Sequence, residues 1–197
     1  MSIGRQKNFF KIKSQHRYSY GGVLRNKRLG RGQRPLPTRE PIHVVFKINK
    51  NHYLTKSLRS PKCFALIQRL LKKYSIRFFV KVEQASIQHD HLHLLLRAPR
   101  RCQIHHFFRV FAGQISQQLQ AVIEAPSQRV TGTPEKSERK KSLWKYRPFS
   151  RVVKSYRAYK IVRDYIQLNE QEALGKISYQ KNRLRGLSSG DWTILWT

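Results

Sequence analysis

The chain has 197 residues, of which 41 are Lys or Arg and 10 are Asp or Glu, so its formal net charge is +31 at pH 7. A charge of this size predicts a polyanionic partner, and hydrophobic residues at 39 % suffice for one folded domain with basic extensions. The sequence has no run of about 18 apolar residues, no hydrophobic leader and no CxxC pair, so we expect a cytoplasmic protein with neither a membrane partner nor a zinc ribbon.

Residues 1–37 form the first predicted segment, a basic flexible arm. Lys and Arg are dense in this segment, Gly and Pro recur, and aromatic residues such as Phe9, Tyr18 and Tyr20 are interleaved with the charges. Because aromatic rings among cations can stack on unpaired bases, we expect the arm to bind nucleic acid and to become ordered on it. A solvated leader without a binding role is the alternative.

The middle of the chain has the periodicities of an alternating α and β protein. Short β-branched runs such as "PIHVVFKI" are typical of buried strands, and longer runs with apolar residues at helical spacing predict amphipathic helices. The predicted order is β-α-β-β-α-β-α, with strands over 41–48, 76–87, 91–98 and within 143–153, and helices over 61–74, 103–123 and 156–175.

This order, with a hairpin in its middle, predicts an α+β fold. It suits a split ferredoxin-like sandwich, in which helices pack on one face of an antiparallel sheet. We expect this domain to span residues 38–175, with a mobile loop at about 124–143 where periodicity is lost. Residues 176–197 are expected to be a basic tail whose Trp192 and Trp196 dock on the domain.

The stretch "QHDHLHLLLRAP" contains the first candidate for chemistry. Side chains alternate between the faces of a strand, so His91 and His93 should project together from one face, which suits a shared metal ion. The H-x-H spacing alone is also typical of half-exposed histidines on a strand. The few acidic residues are scattered, which argues against a metal site of clustered carboxylates and favours Mg²⁺ or Mn²⁺ on neutral ligands.

The last predicted helix contains the second candidate. Tyr165 and Asn169 are four residues apart and therefore share a helix face. Tyr165 offers a phenolic oxygen, and Asn169 offers a carboxamide oxygen that can complete a ligand set with two histidines. Taken alone, the two residues also fit a core tyrosine and a surface amide.

Four ordered motifs resemble one family. "HLHLLL" resembles the histidine-hydrophobic-histidine (HUH) motif of single-tyrosine endonucleases, and "REPIHVVFKI", "LWKYRPFSRVV" and "YIQLN" resemble the REP-associated tyrosine transposase branch, over residues 38–175. The resemblance implies that His91 and His93 bind a divalent metal, Mg²⁺ or Mn²⁺, that Asn169 is a further ligand and that Tyr165 is the nucleophile.

The resemblance also implies the reaction and the partner. We expect metal-dependent cleavage and transfer of single-stranded or hairpin DNA of the repetitive extragenic palindrome type, through a 5′-phosphotyrosine, by a nucleoid-associated monomer or homodimer. A protein of the same fold that binds nucleic acid without cutting, or a structural RNA-binding protein, is the alternative. The chain departs from the family pattern at His89 and Asp90, where Pro-Asn is common; Asp90 can still form an Asx-type turn, and His89 is either an exposed turn residue or a DNA contact.

Overall fold

The structure is a computed structural model that describes residues 18–25, 33–49, 57–124 and 142–196. The greater part of the predicted loop at 124–143, and most of the predicted basic arm, lie outside these residues.

The described residues form five strands and four α-helices around an antiparallel sheet with the strand order β1-β5-β2-β4-β3. None of these helices is long and apolar enough to cross a membrane. The elements are β1 (Ser19–Tyr20), β2 (Ile42–Lys47), α1 (Pro61–Arg77), β3 (Lys81–Ile87), β4 (His91–Arg97), α2 (Arg101–Glu124), β5 (Phe149–Val152), α3 (Tyr156–Ala173) and α4 (Ser189–Trp196).

Strand β4 lies between β2 and β3, and the alternation of its side chains identifies the two faces of the sheet. Leu92, Leu94 and Leu96 are fully buried on one face, in the core that includes α1 and α2. Leu95 points to the other face, where it packs in a second cluster with Ile166 of α3. We call the face that carries Leu95 the α3 face.

The α+β class and the antiparallel sheet are confirmed, but the expectation that the helices share one face of the sheet is wrong for α3. This helix begins after Ser155, whose side chain accepts a hydrogen bond from the Ala158 N–H, as expected for an N-cap. Its buried stripe includes Ile166, which needs an apolar partner, and Leu95 supplies one on the α3 face.

The predicted strand at 76–87 begins later than expected. Helix α1 continues to Arg77, and the chain then turns through Phe79, which has a φ of 53° and is 72 % exposed. Strand β3 therefore starts only at Lys81. The β-favouring residues around Phe79 do not join the strand, because the Phe78 N–H donates to the Tyr74 carbonyl and the Val80 N–H donates to the Ser75 carbonyl.

Residues 18–25 differ from the predicted flexible arm. Strand β1 pairs with β5, with Ser19 opposite Arg151 and Tyr20 opposite Ser150. Gly21 follows at a φ of 78°, where an added Cβ would lie 2.3 Å from the Pro148 carbonyl oxygen. Only glycine permits this close approach, so a sequence signal for the attachment was present in "YGGV".

The end of the chain forms a helix that the sequence analysis missed. Helix α4 buries Leu195 against Leu168 of α3, and Ile177 belongs to the same cluster. Trp196 docks on the domain as expected, with its ring 4.1 Å from the Arg163 guanidinium of α3, although it stays 44 % exposed. The buried apolar contact of this helix is made by Leu195.

Candidate active site

Two histidines project from strand β4 onto the α3 face. His91 and His93 lie on β4 with their ring centroids 4.7 Å apart in an edge-to-face arrangement. His93 is buried, whereas His91 is half-buried. The alternation of the strand thus brings the two predicted ligands together, as the sequence pattern indicated.

The His91 ring is oriented by the residue before it. Its Nδ1 lies 2.5 Å from a carboxylate oxygen of Asp90, and the other carboxylate oxygen is 3.6 Å from the Lys47 ammonium. A carboxylate beside Nδ1 favours the tautomer with the proton there, which leaves Nε2 with a lone pair. Asp90, noted in the sequence as a departure from the family pattern, therefore supports the neighbouring histidine.

The His93 ring is oriented by a histidine that the sequence analysis did not select. His43, on β2, places its Nε2 3.1 Å from Nδ1 of His93. Burial, together with the charge of Arg151, lowers the pKa of His43 to about 4. Burial, with contributions from His43, His91 and Arg183, holds the pKa of His93 well below its usual range. Both rings are therefore neutral at pH 7, the state that a metal ligand requires.

No motif singles out His43, although strand pairing places it. It lies opposite Leu95 on β4, so it shares the α3 face and is diagonal to His93. Finding it would require the register between two strands, which the sequence does not state. The other sequence candidate, His89, is exposed, and its Nδ1 lies 2.7 Å from the Ser57 hydroxyl.

Helix α3 brings Tyr165 to the histidines. The ring of Tyr165 meets the ring of His93 edge-on, with centroids 5.5 Å apart. The side chain is half-buried, while its neighbour Ile166 is fully buried against the sheet. Packing of Ile166 on Leu95 thus holds the phenol next to the imidazole pair.

Asn169 lies one helical turn after Tyr165 and is 3 % exposed. Its side-chain Nδ2 donates to the Tyr165 carbonyl oxygen at 2.6 Å, and its own carbonyl accepts from Nε2 of Gln88 at 2.7 Å. Because Gln88 precedes β4 by only a few residues, this contact ties the helix to the strand that carries the histidines. The side-chain oxygen of Asn169 lies 3.4 Å from Nη2 of Arg183, which is long for a charge-assisted hydrogen bond.

Arg183, from the predicted tail, is a second residue that the sequence analysis missed. Its guanidinium pairs with Glu172 and lies 5.6 Å from the centre of the Tyr165 ring. The backbone at Arg183 has a φ of 53°, so the short 3-10 turn Arg183–Gly186 aims the side chain back at α3. One arginine among many in a basic sequence gives no signal for such a role.

The side chains of His91, His93 and Asn169 offer nitrogen and oxygen donors that suit a divalent cation. Among the residues that the structure describes, no group of three or more His, Cys, Asp or Glu side chains could hold a metal ion. A site here would therefore use His91 and His93, whose Nδ1 atoms are engaged by Asp90 and His43, and the amide oxygen of Asn169. Such outer hydrogen bonds are typical of metal-binding histidines.

A second cluster of cations lies away from the histidines. A cavity of about 700 Å³ is bordered by Arg34, Arg101, His105, Arg109 and Arg147. Arg34 donates to the Pro148 carbonyl at 2.9 Å, and burial lowers the pKa of its guanidinium to about 10. Clustered arginines of this kind suit phosphate groups.

Comparison with known proteins places the chain in the transposase class. The family model described as "Transposase IS200 like" matches residues 39–169, and the chain belongs to this family of IS200-like transposases. No curated protein matches the chain significantly.

Two solved structures are similar to this chain at low sequence identity. A REP-associated tyrosine transposase bound to a REP hairpin has a TM-score of 0.56 and 13 % identity, with 86 % of this chain and 92 % of that chain covered. A putative transposase from Deinococcus radiodurans R1 has a TM-score of 0.42 and 15 % identity, with 71 % of this chain and 98 % of that chain covered. The first match shows a shared fold, and the resemblance that the motifs indicated is confirmed.

Proposed function

We propose that the protein is a metal-dependent single-strand DNA endonuclease and strand transferase. Its substrate would be hairpin-forming repetitive palindromic DNA, and its covalent intermediate a 5′-phosphotyrosine on Tyr165. The observation that carries this proposal is the edge-on contact between Tyr165 and His93, at 5.5 Å, which puts a phenol beside the imidazole pair of His91 and His93.

His91, His93 and Asn169 would hold the divalent metal, Mg²⁺ or Mn²⁺. When bound, the ion supplies Lewis-acid polarisation of a non-bridging oxygen of the scissile phosphodiester. The outer hydrogen bonds from Asp90 and His43 keep the two rings in the tautomer and orientation that a cation needs.

Tyr165 would supply the nucleophile. Its phenolic oxygen attacks phosphorus and loses its proton to solvent, the bond from phosphorus to the 3′ oxygen breaks, and that oxygen takes up a proton to leave as a 3′-hydroxyl. The phosphoryl group stays bonded to the 5′ oxygen and to Tyr165. A 3′-hydroxyl can reverse the step, so strands are rejoined without ATP.

Arg183 would assist this step through charge. Negative charge develops around the attacking oxygen and phosphorus in the transition state, and a nearby cation stabilises it. The Arg183 guanidinium lies 5.6 Å from the ring centre and is itself held by Glu172. It would act both on the attacking oxygen and on the charge that gathers around phosphorus.

The DNA partner is supported by charge and by the structural comparison. The similar REP-associated transposase was solved bound to a REP hairpin. The formal charge of +31 gives this chain the electrostatic affinity for a polyanion, and the arginine-lined cavity of about 700 Å³ offers a place for stem phosphates. A tyrosine on a packed helix cannot reach into a paired duplex, so the cleaved segment would be single-stranded.

A covalent-adduct experiment tests the proposal. The protein is incubated with hairpin-bearing single-stranded DNA and Mn²⁺, denatured, and separated by electrophoresis. We expect a denaturation-resistant protein–DNA band that is lost with EDTA and lost in Tyr165→Phe. Tight hairpin binding with no adduct and no cleavage would instead favour a binding protein on the same fold.

A further inference from the structure

A mainly apolar cavity opens on the α3 face of the sheet, beside the histidines. It has a volume of about 330 Å³. Its walls include Val23, Leu24, Val45, Lys47, Tyr146 and Phe149.

Strand register fixes the position of this cavity relative to the candidate active site. Val45 on β2 lies opposite His93 on one side and opposite Phe149 on the other. Lys47, two residues on, lies opposite His91. Since neighbouring strands are about 4.8 Å apart, Phe149 lies roughly 10 Å across the sheet from His93. The cavity floor is therefore continuous with the floor under the histidine pair.

The outer wall of the cavity is a 3-10 turn that packs on β5. This turn, Gly22–Arg25, follows Gly21, and both glycines have positive φ. At Gly22 an added Cβ would lie 3.1 Å from the Phe149 Cβ, so the turn packs closely on the sheet. Helix α3 packs over β3 and β4 and leaves this side of the face to the turn.

The lining combines apolar side chains and aromatic rings with cations. Phe149 and Tyr146 provide the rings, while Lys47 and Arg147 add positive charge at the edge. A flat, mainly apolar ligand that is attached to an anion matches this combination. An unpaired nucleobase, joined to its phosphate, is such a ligand.

We propose that this cavity, which we call the base pocket, holds one unpaired nucleobase of the DNA strand whose phosphodiester lies at Tyr165. The inference rests on the proposed function and adds a subsite to it. A base seated beside Phe149 anchors the strand next to the histidines, so that the neighbouring phosphodiester is presented to the tyrosine. Lys47, which lies opposite His91 on β4, then contacts the DNA backbone between the base pocket and the histidines.

An abasic scan tests the pocket through binding alone. The DNA is a hairpin with oligothymidine flanks, each oligonucleotide having one abasic site at a different flank position. Affinity is measured with the Tyr165→Phe protein, so no cleavage step enters. We expect one sensitive position near the stem, where the abasic site weakens binding by about 5- to 150-fold, as loss of one base stack does.

Two pocket-filling variants identify the site of that effect. Val45→Trp and Leu24→Trp fill the cavity from opposite walls, and in both the abasic penalty at the sensitive position should shrink to within about twofold. The matched control is Ile76→Trp, an exposed residue on α1, on the other face of the sheet, which should keep the full penalty.

The proposal is overturned if no flank position stands out, or if the filled variants keep the full abasic penalty. The proposal would also be overturned if both variants lost the same affinity for intact and abasic oligonucleotides alike. The effect of filling the cavity would then not depend on the base, and the cavity would hold another ligand. If a filled variant does not fold, 2-aminopurine at the sensitive position decides: its fluorescence must be quenched on binding to the parent protein. Because affinity is the readout, a failed adduct experiment leaves the pocket test intact.

Discussion

The imidazoles of His43 and His93 share one hydrogen bond, with Nε2 of His43 3.1 Å from Nδ1 of His93. One ring must donate and the other accept, so the two rings cannot both be charged without losing the bond. If His93 donates from Nδ1, its Nε2 has a lone pair available for a cation. The pair therefore makes His43, on a different strand, a positioning residue for the proposed metal ligand.

Replacing His43 should weaken the affinity for the metal. It should have a smaller effect on the cleavage rate at saturating metal. His43→Phe keeps a ring in the buried site and removes the nitrogen that contacts His93. We expect about 10- to 100-fold more Mn²⁺ to be needed for half-maximal cleavage, with direct Mn²⁺ binding by calorimetry weakened in parallel. His106→Phe, at an exposed histidine of α2 that does not border the arginine-lined cavity, is the control. An unchanged Mn²⁺ requirement would show that the bond does not support metal binding.

The same pair predicts how the stability of the metal-free protein depends on pH. An unfolded histidine has a pKa of about 6.5, whereas that of folded His43 is lowered to about 4. Between these values the unfolded chain binds a proton that the native state excludes, so stability falls as pH drops from about 6.5 towards 4. The loss from His43 should be of order 3 kcal/mol, and His93 adds a loss of the same sign.

Denaturant unfolding in EDTA at a series of pH values measures this slope. His43→Phe should be less sensitive to pH than the parent over that window, because one of the two excluded protons is gone. Equal pH dependence of the two proteins would contradict the assignment of the slope to this histidine.

The sequence predicted those parts of the site whose geometry depends only on the periodicity of a strand or a helix. The alternation of β4 placed His91 and His93 together, and the four-residue spacing on α3 placed Asn169 one turn from Tyr165. These placements depend on local backbone repeats, which a sequence contains. The proposed roles of the four residues stay predictions.

Contacts between segments that are distant in the sequence could not be predicted from local periodicity. His43 joins the site through strand register, and Arg183 joins it through a left-handed turn in the tail. Helix α3 was assigned to the wrong face for the same reason, since a buried stripe shows that a helix packs but not on which side of a sheet. Strand β1 was missed because two residues give no periodicity.

Removal of the histidines should separate cleavage from binding. In His91→Ala and in His93→Ala we expect divalent-metal-dependent cleavage to be lost, while hairpin affinity stays within about threefold because phosphate contacts supply most of it. The measurements are a cleavage assay in Mn²⁺ and a binding titration at fixed salt. His89→Ala, at an exposed position in the turn between β3 and β4, is the matched control. This variant should cleave the DNA at the normal rate. Full cleavage by the protein lacking both His91 and His93 would end the metal-site proposal.

Removal of the first part of the arm should weaken DNA binding through charge. Since Ser19–Tyr20 forms a strand and Arg34 packs on Tyr20, a deletion to residue 37 would damage the fold, and a deletion of residues 1–17 is the cleaner test. It removes five Lys and Arg, so the slope of log K against log salt should become shallower by up to about 4. An unchanged slope would show that this segment does not contact phosphates.

The identity of the nucleophile is the prediction with the nearest competitors, because Tyr156 and Tyr159 lie on the same helix. Tyr156 is 76 % exposed, and its ring stacks on that of Tyr159. Burial and the nearby Glu83 raise the pKa of Tyr159, which disfavours a phenolate there. Tyr165 alone has its ring against His93. This contact favours Tyr165 over the other two tyrosines as the proposed nucleophile.

Tyr165→Phe should therefore fold and bind metal and hairpin like the parent, yet form no covalent adduct and cleave no DNA, because only the attacking oxygen is lost. Tyr156→Phe and Tyr159→Phe are matched controls on the same helix and should keep measurable cleavage. Electrophoresis after denaturation detects the adduct, and mass spectrometry of the digested adduct locates the linked residue. If Tyr165→Phe still forms an adduct and the link maps to another tyrosine, the contact with His93 does not mark the nucleophile, even if the enzyme class is right.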